Sequence, residues 1–394
     1  VGRSQAQLAA EEKREGGCAM KIIEKYIARE VLSAVVFVLI AFLALFAFFD
    51  LIGELQSVGQ GGYKLQHAFL YIFMRLPGYT YDLIPIAVLI GTIYALAQLA
   101  ARSEITIMRV SSMSTRTMGG MLARIGLVFV ALTFLFGELI APITNEAAEK
   151  MRSQIQNLSR STQFRSGLWT KDMIRKEGSS GEIIGSRFVN VREVLPSGEL
   201  EGIKMYEFDS EFRMSAVLTA DRADYAGNHV WRLTNVAQTD IPTGALDTQA
   251  RTHSKTFASK DMVSEITPEI VSVLFADPDR MSAKDLAAYT SYLEENKQNS
   301  ERYAISFWKK IIYPFAALVM MALALPFAYM HFRAGGVSLK IFIGIMVGVS
   351  FQLLNSLFSH IGLLNTWPPF VTAILPSTVF LTAALAMLWR VERT

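Results

Sequence analysis

Ionisable side chains embedded in apolar runs are the residues of this sequence best placed to do chemistry. Asp50, Arg75, Asp82 and Glu138 stand in or at the edges of long hydrophobic stretches, and Asn355 adds a neutral polar group to another. A charge at the centre of a bilayer costs about 3 kcal/mol or more, so such positions mark an interface or a polar cavity. Two readings stay open. Asp50 and Asp82 at span ends would meet water and headgroups, with Arg75 snorkelling outward. Alternatively, cations edge a cavity that receives an anionic headgroup. Arg75, Arg152, Lys309 and Lys310 fall toward the same membrane surface, and a guanidinium suits phosphate because its donors bind in a bidentate fashion.

A second group is the segment Arg102-Ser103-Glu104-Ile105-Thr106-Ile107-Met108-Arg109. Ser103 is placed to cap a short helix whose first turn holds Glu104, where the helix dipole favours an acid. Ile105 and Met108 would share one face, with Ile107 beside it. Such a helix either lies on the membrane surface or offers a socket to a partner protein.

Familiar catalytic patterns are missing. There is no Walker A sequence, no GxSxG and no His pair at helical spacing, and the five histidines are scattered. Cys18 is the only cysteine, which excludes an internal disulfide and a cysteine-based metal cluster. No cofactor is implied. A net charge of +3, without a basic run interleaved with aromatics, makes no case for nucleic acid.

The elements that must position these residues are membrane helices. Of 394 residues, 52% are hydrophobic, and the mean hydropathy is positive. Apolar runs predict spans at Val31–Phe49, Leu122–Pro142, Ile311–Met330, Ile341–Ser359 and Phe370–Leu388. A further one lies in Phe69–Ala101, where Pro77 and Pro85 suggest an interfacial or kinked first part and a deep portion at Leu83–Ala101. Trp367 and Trp389 flank the last span as interfacial aromatics do. The expected fold class is an α-helical membrane protein with six transmembrane helices, three on each side of an inserted all-β domain.

That domain reads as strand at Glu182–Val194, Glu201–Asp209, Phe212–Tyr225 and His229–Ile241. Turn signals separate the strands at Pro196-Ser197-Gly198, Asp209-Ser210 and Gly227-Asn228. Trp231 and Leu233 alternate with Arg232 and Thr234, as in a half-buried strand. Short strands at this spacing suggest a sandwich or jelly roll. From Met281 to Tyr303 the pattern turns helical, with Ser282 and Asp285 spaced as a capping box. The expected division is a disordered tail over 1–19, which lacks the apolar core of a signal peptide, and a first bundle over 20–143 with a cytoplasmic helix at Arg102–Arg116. A β domain over 144–280, a connecting helix over 281–304 and a second bundle over 305–394 follow.

Lys and Arg in the short loops set the orientation. Lys21, Lys25 and Arg29, the Arg102–Arg124 loop, the His331–Lys340 loop, and Arg390 with Arg393 share one side. The loops around Gly59 and Asn365 hold only Lys64. Both termini are therefore expected in the cytoplasm and the large domain outside it. Arg302, Lys309 and Lys310 run against this, but residues flanking a long domain weigh less.

Ala100-Ala101-Arg102-Ser103-Glu104-Ile105-Thr106-Ile107-Met108-Arg109 resembles the coupling segment of the LptF/LptG family, the permeases of the lipopolysaccharide exporter. Gly59-Gln60-Gly61, Gly137-Glu138 with Ala141-Pro142, Gly167-Leu168-Trp169, Val230-Trp231-Arg232-Leu233 and Leu375-Pro376-Ser377 are similar too. The resemblance runs from Met20 to the C-terminus and is closer to the family's G branch. It implies a heterodimer with a second six-span permease, each with a periplasmic β-jelly roll, in the inner membrane of a Gram-negative bacterium. It further implies a cytoplasmic ATPase dimer docked at Arg102, Glu104, Ile105, Ile107, Met108 and Arg109, a single-span accessory subunit, a periplasmic bridge protein and lipopolysaccharide as cargo. ATP hydrolysis would belong to the partner, so this chain is not expected to be an enzyme. Where that branch carries lysines facing lipid A phosphates, this chain reads Asp50, Gln56, Ser57 and Gly78. Arg75, Arg152 and Lys310 are left as the expected phosphate contacts. The competing reading is an envelope enzyme or sensor whose β domain binds a ligand and which has no ATPase.

Overall fold

The computed structural model describes residues 5–110, 114–156, 167–176, 182–195, 198–242, 252–268, 270–271, 277–329 and 337–393. The turn expected at Pro196-Ser197 and the loop from His331 to residue 336 lie outside them. The chain divides into two compact units. One comprises Val1–Ile52, Arg75–Thr144 and Ile305–Thr394, and the other Gly53–Met74 and Asn145–Ala304. Residues 53–74, counted above with the first bundle, group with the β domain instead.

The first unit is built from α1 (Gln5–Leu55) as far as Ile52, α2 (Leu65–Ala101) from Arg75 onward, α3 (Glu104–Val110), α4 (Thr115–Phe134) and the start of α5 (Ala141–Gln156). After the β domain come α7 (Glu301–Ile312), α8 (Ala316–Tyr329), α9 (Val337–Leu364) and α10 (Pro369–Arg393). Among the described residues, six helices are long and apolar enough to cross a membrane: Ile22–Leu55, Leu65–Ala101, Thr115–Gln156, Glu301–Phe327, Ser338–Leu364 and Pro369–Arg390. In chain order, three precede the strands and three follow them. One expectation needs correction. The leading segment is helical from Gln5 onward instead of disordered; Ala, Leu, Glu, Lys and Arg dominate it and are strong helix formers. The stretch from Phe69 lies in one continuous helix that carries Pro77 and Pro85 inside it, as spans tolerate when neighbouring groups satisfy the freed carbonyls. Its closely buried part runs from Leu83 onward as expected.

The bundle core joins Leu89, Ile93, Leu96 and Leu99 of α2 to Met118 and Leu122 of α4 and to Ala316, Met320 and Ala324 of α8. Helices α1 and α2 approach closely where Gly91 faces Val35; a Cβ on Gly91 would stand 2.6 Å from the Val35 Cα. Between α4 and α5, Leu135–Ile140 widens into a π turn, with the Ala141 N–H bonding the Phe136 carbonyl. This wide turn lies directly before Pro142, which has no N–H to return to the preceding turn.

Among the described residues of the second unit, six strands form one antiparallel sheet in the order β1-β2-β3-β4-β5-β6: Leu168–Arg175, Ile183–Val194, Leu200–Asp209, Met214–Gly227, Val230–Asp240 and His253–Val263. Every strand pairs with its neighbour in sequence. A jelly roll pairs strands distant in sequence through crossing connections; among the described residues the strands pair as an up-and-down meander, without such a crossing. The β4–β5 connection shows why adjacent strands pair: Asn228 (φ 50) and His229 (φ 62) both take positive φ between the paired residues Gly227 and Val230. That is the geometry of a two-residue hairpin turn matched to strand twist.

One face of the sheet buries Val189, Val191, Ile203, Met205, Leu218, Trp231 and Leu233 beneath Tyr289, Tyr292 and Leu293 of α6 (Ala283–Glu295). The Trp231 ring nitrogen donates to the Ile266 carbonyl at 2.6 Å. Ser282 caps α6 as expected, accepting from the Asp285 N–H at 3.1 Å. The connecting helix does not continue to Tyr303. It stops at Asn296, Lys297 turns to φ 52, and α7 starts afresh at Glu301, whose N–H is taken by the Asn299 side chain. Asn and Ser in that break favour caps over helix interior.

Candidate functional site

The segment after α2 is a sharp reversal. Ser103 takes φ 61 and donates to the Ala100 carbonyl, while its own carbonyl accepts from Ile107. An N-cap residue is typically extended; Ser103 holds the position before α3 in a left-handed conformation instead and closes the turn between the two helices. Helix α3 spans Glu104–Val110 rather than reaching Arg116; Arg116 lies in α4, which Ser114 caps at the Thr117 N–H. Residues 111–113 lie outside the described residues, as does the side chain of Arg109.

The two faces of α3 are distinct. Ile105 is 4% exposed and belongs to the bundle core, with Met108 packed partly against it. Ile107 is 63% exposed and Val110 83%. Ile105 therefore anchors the helix and is not a surface for a partner to touch. Glu104 accepts a hydrogen bond from the Tyr26 hydroxyl at 3.0 Å, tying α3 to α1. Arg102 folds back onto Gln98 at 3.0 Å, and Arg124 pairs with Glu24 at 3.0 Å. The result is a short helix fixed from beneath, with an acid at its start and aliphatic side chains outward.

The candidate cations sit in different settings. In the first unit, Arg75 pairs with Asp50 at 3.3 Å and lies 5.4 Å from the centre of the Tyr79 ring. The Tyr79 hydroxyl donates to the same Asp50 oxygen at 2.5 Å, and Phe46 packs on the Tyr79 ring. An isolated Asp in an apolar span would be costly; pairing with a guanidinium and a phenol offsets much of that. Lys310 is buried in the same unit, with its ammonium 4.9 Å from the centre of the Tyr81 ring. Tyr81 also packs against Tyr313, whose hydroxyl donates to the Asp82 carbonyl at 2.6 Å. Gly137 in the π turn makes room for that tyrosine: a Cβ there would stand 2.4 Å from the ring.

Arg152 belongs to the second unit. It faces Glu54 at 3.6 Å, donates to the Ser57 hydroxyl at 3.2 Å and lies 5.3 Å from the centre of the Tyr71 ring. Tyr71 donates to Glu149 at 2.8 Å. Burial and the adjacent Glu54 carboxylate push the Tyr63 hydroxyl well above its ordinary pKa. Sequence reasoning named Asp50 and Arg75 separately but missed that they pair, and it missed Tyr26, Tyr71, Tyr79, Tyr81 and Glu54 altogether. Only Arg75 and Tyr79, four apart on one helix face, carried a readable signal.

The β unit holds a further polar centre. Asp172 on β1 is fully buried and accepts from the Arg187 Nε at 2.9 Å, the Ser264 hydroxyl at 2.8 Å and the Glu265 N–H at 3.3 Å. Arg187 also donates to the Val263 carbonyl, and Arg175 pairs with Glu265 at 2.7 Å. This cluster links the first strand to the end of the last. It borders a cavity of about 330 Å³ lined also by Met173, Leu218, Leu233 and Met262.

Residues 25–390 match the model of the family described as lipopolysaccharide export system permease LptF/LptG. The chain is similar to a protein named lipopolysaccharide export system permease protein LptG from Escherichia coli strain K12, at 29% identity over 370 residues, covering 94% of this chain and 98% of that protein. It is similar to the protein of the same name from Haemophilus influenzae at 27% identity over 368 residues, covering 93% and 97%.

Proposed function

The chain belongs to the LptF/LptG family of lipopolysaccharide export system permeases, and from that membership we propose that it is the G-type permease of an ATP-driven lipopolysaccharide exporter. It works in the bacterial inner membrane beside a second six-span permease, with both termini cytoplasmic and the β domain periplasmic. A separate cytoplasmic ATPase dimer supplies the energy, and the permeases take lipopolysaccharide laterally from the outer leaflet. The cargo then passes by way of the β domains toward a periplasmic bridge protein, under regulation by a single-span accessory subunit. Arg75, Arg152 and Lys310 serve the anionic headgroup in this reading. Each is already engaged by an acid or an aromatic ring, so binding proceeds by exchange of partners.

The observation that carries the reading is the construction of α3. A helix that receives force needs a rigid seat and an exposed contact face. Ile105, Met108 and the Tyr26–Glu104 bond provide the seat, while Ile107 and Val110 provide the face. Movement of an ATPase docked there passes into α1 and α2, which carry the Arg75–Asp50 pair.

Copurification tests this. The wild-type chain, expressed with its neighbouring genes and solubilised in detergent, should retain a nucleotide-binding subunit. Glu104→Lys should lose it while the two permeases stay together. Retention undiminished by that change would overturn the docking role of α3, and no nucleotide-binding subunit in the wild-type complex would overturn the exporter reading.

A further inference from the structure

The Arg75–Asp50 pair constrains what headgroup chemistry it can receive, and this inference rests on the export reading above. Two helices of the same unit bring the groups together: Asp50 from α1, and Arg75 with Tyr79 from α2. Both charged side chains keep limited contact with solvent, 19% for Arg75 and 26% for Asp50. A ligand can therefore reach the pair without unfolding the helices.

Consider a bare phosphate arriving at Arg75. It competes with Asp50 for the guanidinium, and on winning it leaves the Asp50 carboxylate beside a second anion in apolar surroundings. Removing one partner of a poorly solvated ion pair leaves the other charge without its counterion, which is unfavourable, and like charges held close add to that cost. A group carrying an ammonium next to its phosphate meets neither penalty. Its phosphate takes Arg75 and its ammonium takes Asp50, so two protein–protein contacts become two protein–ligand contacts with the charge balanced throughout. Tyr79 keeps the carboxylate oriented during the exchange, since its hydroxyl donates to Asp50 at 2.5 Å.

We propose that the Asp50–Arg75–Tyr79 cluster is a specificity element for a lipid headgroup whose phosphate bears an amine, a phosphate–ammonium zwitterion, in preference to a bare phosphate. The chemistry is a simultaneous double exchange, with Asp50 as the residue that reads the amine.

The test uses the complete exporter complex reconstituted with lipopolysaccharide of two kinds: lipid A phosphates left bare, or capped with ethanolamine. A photoreactive phenylalanine analogue at Phe49, an exposed position next to Asp50, reports occupancy by crosslinking yield. The wild type should crosslink the capped form about tenfold more, a ratio equivalent to about 1.4 kcal/mol. Asp50→Asn, which frees Arg75 for bare phosphate, should bring the ratio near one, and Asp50→Glu should preserve the preference. Recovery of both variants in the assembled complex controls for folding. Equal wild-type crosslinking of the two lipids overturns this inference and leaves the export reading intact. So does a preference that Asp50→Asn does not alter, or one that appears only when a divalent cation is added. Crosslinking of neither lipid overturns this inference as well, while the export reading stands or falls by the copurification result.

Discussion

Replacing Asp172 with Asn should loosen the β domain at the point where its first strand meets the end of its last. The carboxylate is fully buried and takes three hydrogen bonds, from the Arg187 guanidinium, the Ser264 hydroxyl and the Glu265 N–H. Asn keeps the volume but removes the charge. Arg187, 7% exposed, then keeps, among the described residues, Glu207 at 3.8 Å as an ion-pair partner. Breaking a buried pair by removing one member costs about 3–5 kcal/mol, because the other charge stays behind with only the longer contact to Glu207 in place of its partner.

That cost is readable by amide hydrogen exchange on the whole chain in detergent. If local opening governs exchange, about 3–5 kcal/mol corresponds to roughly 10²- to 10⁴-fold faster exchange in peptides covering Leu168–Arg175 and Ser264–Ile266. Peptides from α2 should not change. Removing both members together, Asp172→Asn with Arg187→Met, should recover most of the loss, since no charge is then stranded. Exchange that stays at the wild-type rate in the single variant would refute the reasoning. Equal loss in the single and double variants would show that packing, and not the charge, holds the strands.

Gly137→Ala places a methyl 2.4 Å from the Tyr81 ring. Tyr81 must move, at about 1–3 kcal/mol for overpacking, and the melting temperature of the purified complex should fall while Gly120→Ala, where a Cβ meets open space, leaves it in place. Asp209 in the β3–β4 turn should titrate below its ordinary 3.8, held down first by the Arg213 N–H and then by the Arg213 guanidinium and the Glu211 N–H. With the folded pKa depressed, the turn gains stability above pH 3.8 and loses it as pH falls through the lower folded value. Amide shifts of Glu211 and Arg213 in selectively labelled protein should accordingly have midpoints under 3.8.

Much of this protein is legible in one dimension because the strongest forces on it are local. Runs such as Val31–Phe49 and Ile341–Ser359 must be helical in hydrocarbon, where each backbone group needs an internal partner, and each lies inside a candidate span. The alternation of Trp231 and Leu233 with Arg232 appears as inward and outward positions on β5. The Ser282–Asp285 cap depends on four consecutive residues and forms as read. The segment Glu104–Met108 was readable as a helix from its own pattern.

Other features depend on residues far apart in the chain. No local pattern relates Asp50 to Arg75, Tyr26 to Glu104 or Asp172 to Ser264, because each pair is made by helices or strands meeting in space. Pairing changes the chemistry: Arg75 reads as a cation awaiting phosphate when seen alone, and as half of a balanced pair when Asp50 stands 3.3 Å away. The first and last strands escaped notice for a related reason. Strand β1 is short, and β6 carries Ser, Lys, Thr and Asp on exposed positions, so neither shows the apolar signal that burial imposes on the interior strands. Composition and period determined that this chain crosses a membrane and carries a β domain. Tertiary packing decided which charges are matched, because electrostatic pairing depends on distance in space and not on separation along the chain.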